Sequence, residues 1–193
     1  MSQIDLGQYK QEYSNYFLVK KNYPGELIVE DSPIKLYQAI KKNKDLVFLK
    51  AINKEALKEE DDYEFHVENI KKEKEISYLC NSEYTVKLNR DFETDKNFVF
   101  EKEYCQTDLR EKLFNEGKYE TQYVSKNNIQ AFKDIVIDLA NALKIIKEKG
   151  VVHRNIKPHN IYLKDLKNGK YRAKLGDFSC AITFYLYNIH INN

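Results

Sequence analysis

The stretch Val151-Val152-His153-Arg154-Asn155-Ile156-Lys157-Pro158-His159-Asn160, followed by Asp177-Phe178-Ser179, constrains the fold more than any other part of the chain. What surrounds these two polar loops is strongly patterned. Residues 128–149 carry helix periodicity, with Ile129, Phe132, Ile135, Val136, Leu139, Ala140, Leu143 and Ile146 on one face and Gly150 as the stop signal. Between the loops, residues 161–163 and 171–175 read as a hairpin around Asn168-Gly169. A long helix, a loop, a hairpin and a second loop therefore follow one another within a short distance.

Upstream the periodicity changes from helix to strand. Tyr16-Phe17-Leu18-Val19 is extended, a Pro24-Gly25 turn interrupts it, and Leu27-Ile28-Val29 resumes it. Residues 34–39 alternate, Lys41-Lys42-Asn43-Lys44-Asp45 turns, and residues 46–52 form a further strand, giving an antiparallel meander. Phe65 to Cys80 is helical, with Ile70, Glu73, Ile76, Ser77 and Cys80 on one stripe. Glu73 is the odd member. A buried carboxylate is costly unless paired, so the periodicity alone favours a solvated glutamate at the edge of the stripe. Residues 84–88 and 97–104 read as two more strands separated by the polar turn 93–96, and 108–115 as a short helix. Residues 1–15 are polar and expected to be a loosely docked extension.

Composition sets outer limits. At 193 residues, 42% hydrophobic and 32% charged, the chain has material for one or two globular units. Lys+Arg number 32 against 30 Asp+Glu, a net charge of +2 that gives no reason to expect nucleic acid or an anionic membrane as partner. Met1-Ser2-Gln3-Ile4-Asp5 has no basic-then-apolar signal pattern, and no apolar run reaches about eighteen residues. Cys80, Cys105 and Cys180 are odd in number and lack C-x-x-C spacing, which favours reduced thiols. The expectation is a soluble, cytoplasmic protein.

The loop H-R-N-I-K-P-H-N followed by D-F-S resembles the catalytic and metal-binding loops of protein kinases, whose pattern is H-R-D-L-K-x-x-N and then D-F-G. The resemblance spans roughly residues 16–182. It implies an α+β protein-kinase-like fold, with a complete five-stranded small lobe carrying one helix and the N-terminal part of the helical large lobe. Residues 16–104 would be the small lobe and 105–182 a partial large lobe. The implied cofactors are ATP and Mg²⁺, and the implied partner is a protein substrate or protein ligand. By the same resemblance, Val47-Phe48-Leu49-Lys50 stands for V-A-I-K, with Lys50 on the α- and β-phosphates and Glu73 as its ion-pair partner. Glu103-Tyr104-Cys105 resembles the adenine-binding hinge, Asp108 the ribose-contacting acid, and Tyr162 a further nucleotide contact. Asn160 and Asp177 match the two magnesium ligands, and both offer the oxygen donors Mg²⁺ takes. Lys157, two residues after Asn155, resembles the Ser/Thr-specific subgroup.

Several departures weigh against activity. The G-x-G-x-x-G positions are Val29, Asp31 and Ile34, whose side chains keep backbone away from phosphates, and Asp31 adds charge of the wrong sign. Phe48 replaces the small alanine at the roof of the adenine slot, and its ring either fills that slot or turns into the sheet's own core. Asn155 replaces the catalytic aspartate, and an amide cannot take up a hydroxyl proton. Ser179 replaces the glycine after Asp177-Phe178 and restricts that loop. Residues 183–193 resemble nothing in the family. Their Ile/Tyr/Asn/Phe bias fits either translated AT-rich non-coding sequence in a truncated or misassembled gene, or a genuine tail docked on an incomplete lobe. The expectation is a Ser/Thr-type kinase-like chain with impaired catalysis acting as a binding module. The alternative is an active kinase transferring the γ-phosphoryl of Mg-ATP to protein hydroxyls.

Overall fold

A computed structural model describes residues 10–13, 16–21, 32–115, 118–119, 129–167 and 170–184. The expected strand at Leu27-Ile28-Val29, the loop positions Val29 and Asp31, the hairpin tip Asn168-Gly169 and the tail beyond residue 184 lie outside the described residues. The chain divides into two units, residues 1–66 with 88–104 and residues 67–87 with 105–193.

The first unit is built on an antiparallel sheet in the order β1-β2-β3-β4-β6-β5. Its strands are β1 (Lys10–Tyr13), β2 (Tyr16–Lys21), β3 (Ile34–Lys41), β4 (Leu46–Asn53), β5 (Leu88–Glu93) and β6 (Asn97–Glu103). β4 lies in the middle, and every residue from Val47 to Ile52 is buried. That is why its sequence runs almost continuously apolar instead of alternating. Its odd-numbered side chains, Val47, Leu49 and Ala51, pack with Tyr16, Ala39 and Val99 in one core. Phe48 and Lys50 therefore project from the opposite face. After β4 the side chain of Asn53 caps α1 (Lys54–Lys58) by accepting from the N–H groups of Glu55 and Ala56.

Two expectations need correction here. Among the described residues the sheet has six strands, because Lys10–Tyr13, inside the expected extension, pairs with β2. The segment 84–88 is not a strand of this sheet. Thr85 makes an isolated bridge to Leu175 in the second unit, and the strand proper begins at Leu88 and runs through the polar Asn89-Arg90-Asp91. An edge strand pairs on one side only and needs little apolar sequence, so alternation pointed to the wrong residues.

The second unit carries most of α2 (Tyr63–Leu79), β7 (Thr107–Asp108), α3 (Leu109–Leu113) and α4 (Ile129–Glu148). It also contains the two-stranded ladder β8 (Phe114–Asn115) with β9 (Lys118–Tyr119). β10 (Val151–Val152), a 3-10 turn Pro158–Asn160, β11 (Ile161–Asp165), β12 (Tyr171–Leu175) and β13 (Ile182–Thr183) complete it. Ile76 and Cys80 from the α2 region pack on Ala142, Ile146, Val151, Leu175, Phe178 and Ala181. A second cluster joins Leu109, Ile135, Ile161, Leu163 and Ala173.

α4 is also fixed by a polar tie. Asp138 accepts Nη1–H of Arg172 at 2.6 Å and the backbone N–H of Ala173 at 2.9 Å, while Nη2 of Arg172 reaches Glu83 at 2.9 Å. The helix consequently buries Ile135, Asp138, Ala142 and Ile146, one flank of its apolar face. Ser77 Oγ, also buried, has no hydrogen-bond partner among the described residues. An unpartnered hydroxyl keeps its desolvation cost, so Ser77→Ala should raise stability by about 1 kcal/mol, with a rightward shift of the urea midpoint at unchanged m-value as the check.

Candidate active site

The expected site residues fall in both units, and each set is best built from its own backbone. In the first unit Lys50 is 6% exposed on the face of β4 that also carries Phe48. Phe48 is opposite Gln38 on β3, and its ring lies 5.1 Å from that of Tyr104 at 39°. Gln38 sends Nε2–H to the Tyr104 hydroxyl at 3.1 Å, which pins the second ring. The phenyl ring is therefore packed on the segment that resembles the hinge, and is not part of the Val47–Leu49–Ala51 core. Glu103, at the end of β6, is half-buried opposite Val47. Ile34, the last of the three glycine positions, starts β3 and is 40% exposed.

In the second unit Glu73 is 3% exposed, so the solvated-glutamate reading is wrong. Helix periodicity placed it on the buried stripe, but charge alone suggested solvent. Cys105 is fully buried and in no disulfide among the described residues. Asp108 is 2% exposed, and its Oδ1 accepts the backbone N–H of Glu111 at 2.8 Å as the N-cap of α3. The structure thus gives this carboxylate a local structural partner.

Burial pushes the Asp108 carboxyl up to about 6, the cap hydrogen bond offsetting only part of that cost. A carboxyl whose folded pKa exceeds its unfolded value stabilises the fold most at low pH and loses that contribution as pH rises from about 4 to 6. Asp108→Asn keeps the cap acceptor without the charge. The melting temperature of this variant should exceed that of the wild type above pH 6, on the order of 2 kcal/mol in stability, and its pH dependence between 4 and 6 should flatten. Identical profiles would show that Asp108 is ordinary.

The two polar loops are joined through backbone. His153 is 2% exposed, its Nε2 lies 2.9 Å from the Gly176 carbonyl, and its Nδ1 is 3.3 Å from the N–H of Asn155. One neutral tautomer, protonated at Nε2, satisfies both contacts. Burial outweighs the Gly176 carbonyl and Asp177 and holds the imidazole below its usual value, consistent with that neutral form. The ring packs 5.0 Å from Phe178. Asn160, 5% exposed, donates Nδ2–H to the Asn155 carbonyl at 2.8 Å, and its own carbonyl accepts the Gly176 N–H at 2.9 Å. These bonds leave Asn160 Oδ1 as the acceptor of that side chain and bring residue 176 beside it.

Asp177 has a φ of 59°. The left-handed backbone is uncommon away from glycine and marks a position whose side-chain direction is set by its surroundings. Its Oδ1 accepts the Ser179 hydroxyl at 2.8 Å. The serine at the glycine position thus bonds the same carboxylate expected to hold a metal. Arg154, with φ 64°, donates Nε–H to the Cys180 carbonyl at 2.6 Å and ties the loops a second time. Lys157 is exposed on extended backbone before the 3-10 turn.

A Cβ on Gly176 would stand 2.7 Å from the Tyr162 ring and 2.9 Å from Val86, so Tyr162 packs over the glycine that precedes Asp177. His153, Gly176 and Phe178 form the frame of this site. Sequence reading had assigned them no roles, although the first lies in the recognised loop motif and the other two flank or follow Asp177.

Asn160 and Asp177 are hard oxygen donors of the kind that hold Mg²⁺ together with substrate phosphates. Among the described residues no group of three His, Cys, Asp or Glu side chains could hold a metal by itself. Asn155 is half-buried, and its side chain is an amide, which cannot take up a proton as a carboxylate can.

A family model for the protein kinase domain matches residues 34–187. The chain is 29% identical over 153 residues to a Dictyostelium discoideum protein named "Probable myosin light chain kinase", covering 78% of this chain and 28% of that protein. It is 31% identical over 145 residues to a second Dictyostelium discoideum protein, named as a serine/threonine-protein kinase, covering 65% and 28%. Wee1-like protein kinase 2 of Xenopus tropicalis shares 33% identity over 69 residues, 36% of this chain and 12% of that protein. The matches thus span little more than a quarter of these relatives, at most. With the motif frame, the sheet and the family match in agreement, the chain belongs to the protein kinase family.

Proposed function

We propose that the chain is a Ser/Thr-type kinase-like module with impaired phosphoryl transfer, acting mainly through contacts with another protein. The observation that carries this reading is Asn155. It stands at the family's base position in a loop held by hydrogen bonds to His153 and Asn160, and an amide cannot take up a hydroxyl proton. Loss of general-base help commonly lowers rate about 10²- to 10⁴-fold. The packing of Phe48 on Tyr104 further supports poor access for adenine.

A second reading, an active kinase using Mg-ATP, is favoured by the retained Lys50, Glu73, Asn160 and Asp177. Phosphoryl transfer depends chiefly on positioning and electrostatics, so the loss of one base slows it without forbidding it. If bound, Mg²⁺ would draw on Asn160 and Asp177 and neutralise phosphate charge. Cys80 and Cys105, buried and in no disulfide among the described residues, support a reducing compartment such as the cytoplasm for either reading. No described helix is long and apolar enough to cross a membrane.

Calorimetric titration with ATP, with and without Mg²⁺, and a radiolabel transfer assay on a generic protein substrate separate the two readings. Weak, Mg²⁺-dependent heat and no transfer are expected. Robust phosphorylation, or tight Mg-ATP binding, would overturn the impaired-module reading.

A further inference from the structure

The turn that follows Asp177 is held from several sides. Phe178 and Ala181 are buried in the core with Ile76 and Cys80, and the Ala181 N–H donates to the Phe178 carbonyl at 3.0 Å. Ser179 and Cys180 are the central residues of this turn, and Arg154 Nε–H on the Cys180 carbonyl at 2.6 Å fixes it from the other loop. Ser179 is not among the residues with positive φ. The backbone here therefore asks for no glycine, and the serine sits in the turn without strain.

That turn delivers a donor to the Asp177 carboxylate. The Ser179 hydroxyl lies 2.8 Å from Asp177 Oδ1 and 4.0 Å from Cys180 Sγ, so its single proton goes to the carboxylate. The Ser179 backbone N–H reaches the same oxygen at 3.4 Å, a long contact that adds direction more than strength. At φ 59° the Asp177 side chain leaves the backbone in a direction few residues adopt, and the hydroxyl fixes how the carboxylate is turned. A carboxylate oxygen can accept more than once, so bonding Ser179 does not disqualify Oδ1 as a ligand.

We propose that Ser179 is a positioning residue, its hydroxyl holding the Asp177 carboxylate in the orientation in which it meets a divalent cation. This rests on the reading that Asn160 and Asp177 are the ligands, and it gives the serine at the glycine position a constructive role. Ligating carboxylates are oriented by such outer hydrogen bonds, whose loss costs about 10- to 100-fold in metal affinity. A carboxylate already held in place also has less side-chain freedom left to lose on binding. Glycine at 179 brings no hydroxyl, so in this chain the family's residue is the weaker choice.

The test uses Mn²⁺ alone as the probe, since it takes the same oxygen ligands as Mg²⁺ and its free-ion paramagnetic resonance signal falls on binding. No nucleotide is added, so the adenine slot does not enter. The full chain is titrated as wild type, Ser179→Ala, Ser179→Gly, Ser179→Thr and Asp177→Asn. Ser179→Ala and Ser179→Gly should bind about tenfold more weakly than wild type, with metal-free melting temperatures unchanged. Ser179→Thr keeps the hydroxyl and should bind as the wild type does. Wild-type affinity in Ser179→Ala, with weaker binding by Asp177→Asn, would overturn the positioning role and leave the ligand reading standing. Tighter binding by Ser179→Ala would mean that the hydroxyl competes with the cation, and equal weakening by Ser179→Thr would assign the effect to shape. Either result overturns the proposal. Equal binding by wild type and Asp177→Asn, including none by either, would overturn the ligand reading and the proposal together.

Discussion

Replacing Glu101 by alanine should destabilise the sheet unit by about 3 kcal/mol. Glu101 is 1% exposed and gathers four donors around one carboxylate. Oε2 accepts from the Tyr16 hydroxyl and, at 3.0 Å, from Arg90 Nε. Oε1 accepts from Lys41 Nζ at 3.1 Å and Asn89 Nδ2 at 3.3 Å. Arg90 also lies over the rings of Tyr16 and Phe92, which stack at 5.7 Å. Removing the carboxylate takes away the acceptor of the Tyr16 O–H, which still accepts from Arg90 Nε at 2.8 Å, while the cations, partly exposed, recover solvation. That asymmetry puts the cost at the low end of the range for a broken buried pair. Glu101→Gln keeps an acceptor for Tyr16 and should cost about 1 kcal/mol. Urea unfolding followed by circular dichroism gives both numbers, and equal losses for the two variants would show that packing, not charge, matters at this site.

The same cluster gives the unit two pH limits. Burial works against ionising Glu101, but hydrogen bonds from Tyr16 and Lys41 outweigh it and hold the carboxyl below its ordinary value. A depressed carboxyl contributes stability above its unfolded pKa and loses it as pH falls through the folded one, so acid weakens the sheet below about pH 4.5. Burial, with Glu101 next to it, pushes the Tyr16 hydroxyl up to about 12. A raised tyrosine contributes fully below pH 10 and loses its contribution between about pH 10 and 12.

What the sequence made legible follows from where each residue's partners lie. β4 could be read because its burial on both faces produces an apolar run, and the face shared by Phe48 and Lys50 follows from alternation. The loops 151–160 and 177–179 could be read because their side chains and spacing are characteristic of the family. Glu101 could not. It looks like an outward charge in an apolar strand, and its partners Tyr16 and Lys41 are 85 and 60 residues distant. Asp138 was hidden for the same reason, since a charge near an apolar stripe reads as its polar border until Arg172 is found opposite. β1 had no signal at all, because Lys10-Gln11-Glu12-Tyr13 joins the sheet through backbone pairing. Periodicity marks an apolar face on α4 but cannot say which flank a tertiary tie will bury.

Phe48→Ala should raise affinity for Mg-ATP at least tenfold, about 1.4 kcal/mol, whereas Asn155→Asp alone should leave affinity unchanged. The ring is 7% exposed and packed on Tyr104, on the Lys50 face of β4 and where the family has a small alanine. Truncation opens space beside the segment that resembles the hinge. It also removes packing, and a Phe→Ala cavity commonly costs about 3 to 5 kcal/mol, so Phe48→Leu serves as a gentler second variant. An aspartate at 155 restores a proton acceptor but makes no contact that would hold a nucleotide, so its benefit should emerge only when nucleotide is retained. Transfer should therefore be measurable first in the Phe48→Ala, Asn155→Asp double variant. On the proposed reading, in which Asn160 and Asp177 would hold the metal, any gain in binding should require Mg²⁺. Calorimetric titrations of all five proteins with ATP, with and without Mg²⁺ and below each variant's melting range, decide the matter. Wild-type protein that binds Mg-ATP as tightly as either Phe48 variant would show that the ring does not obstruct the base.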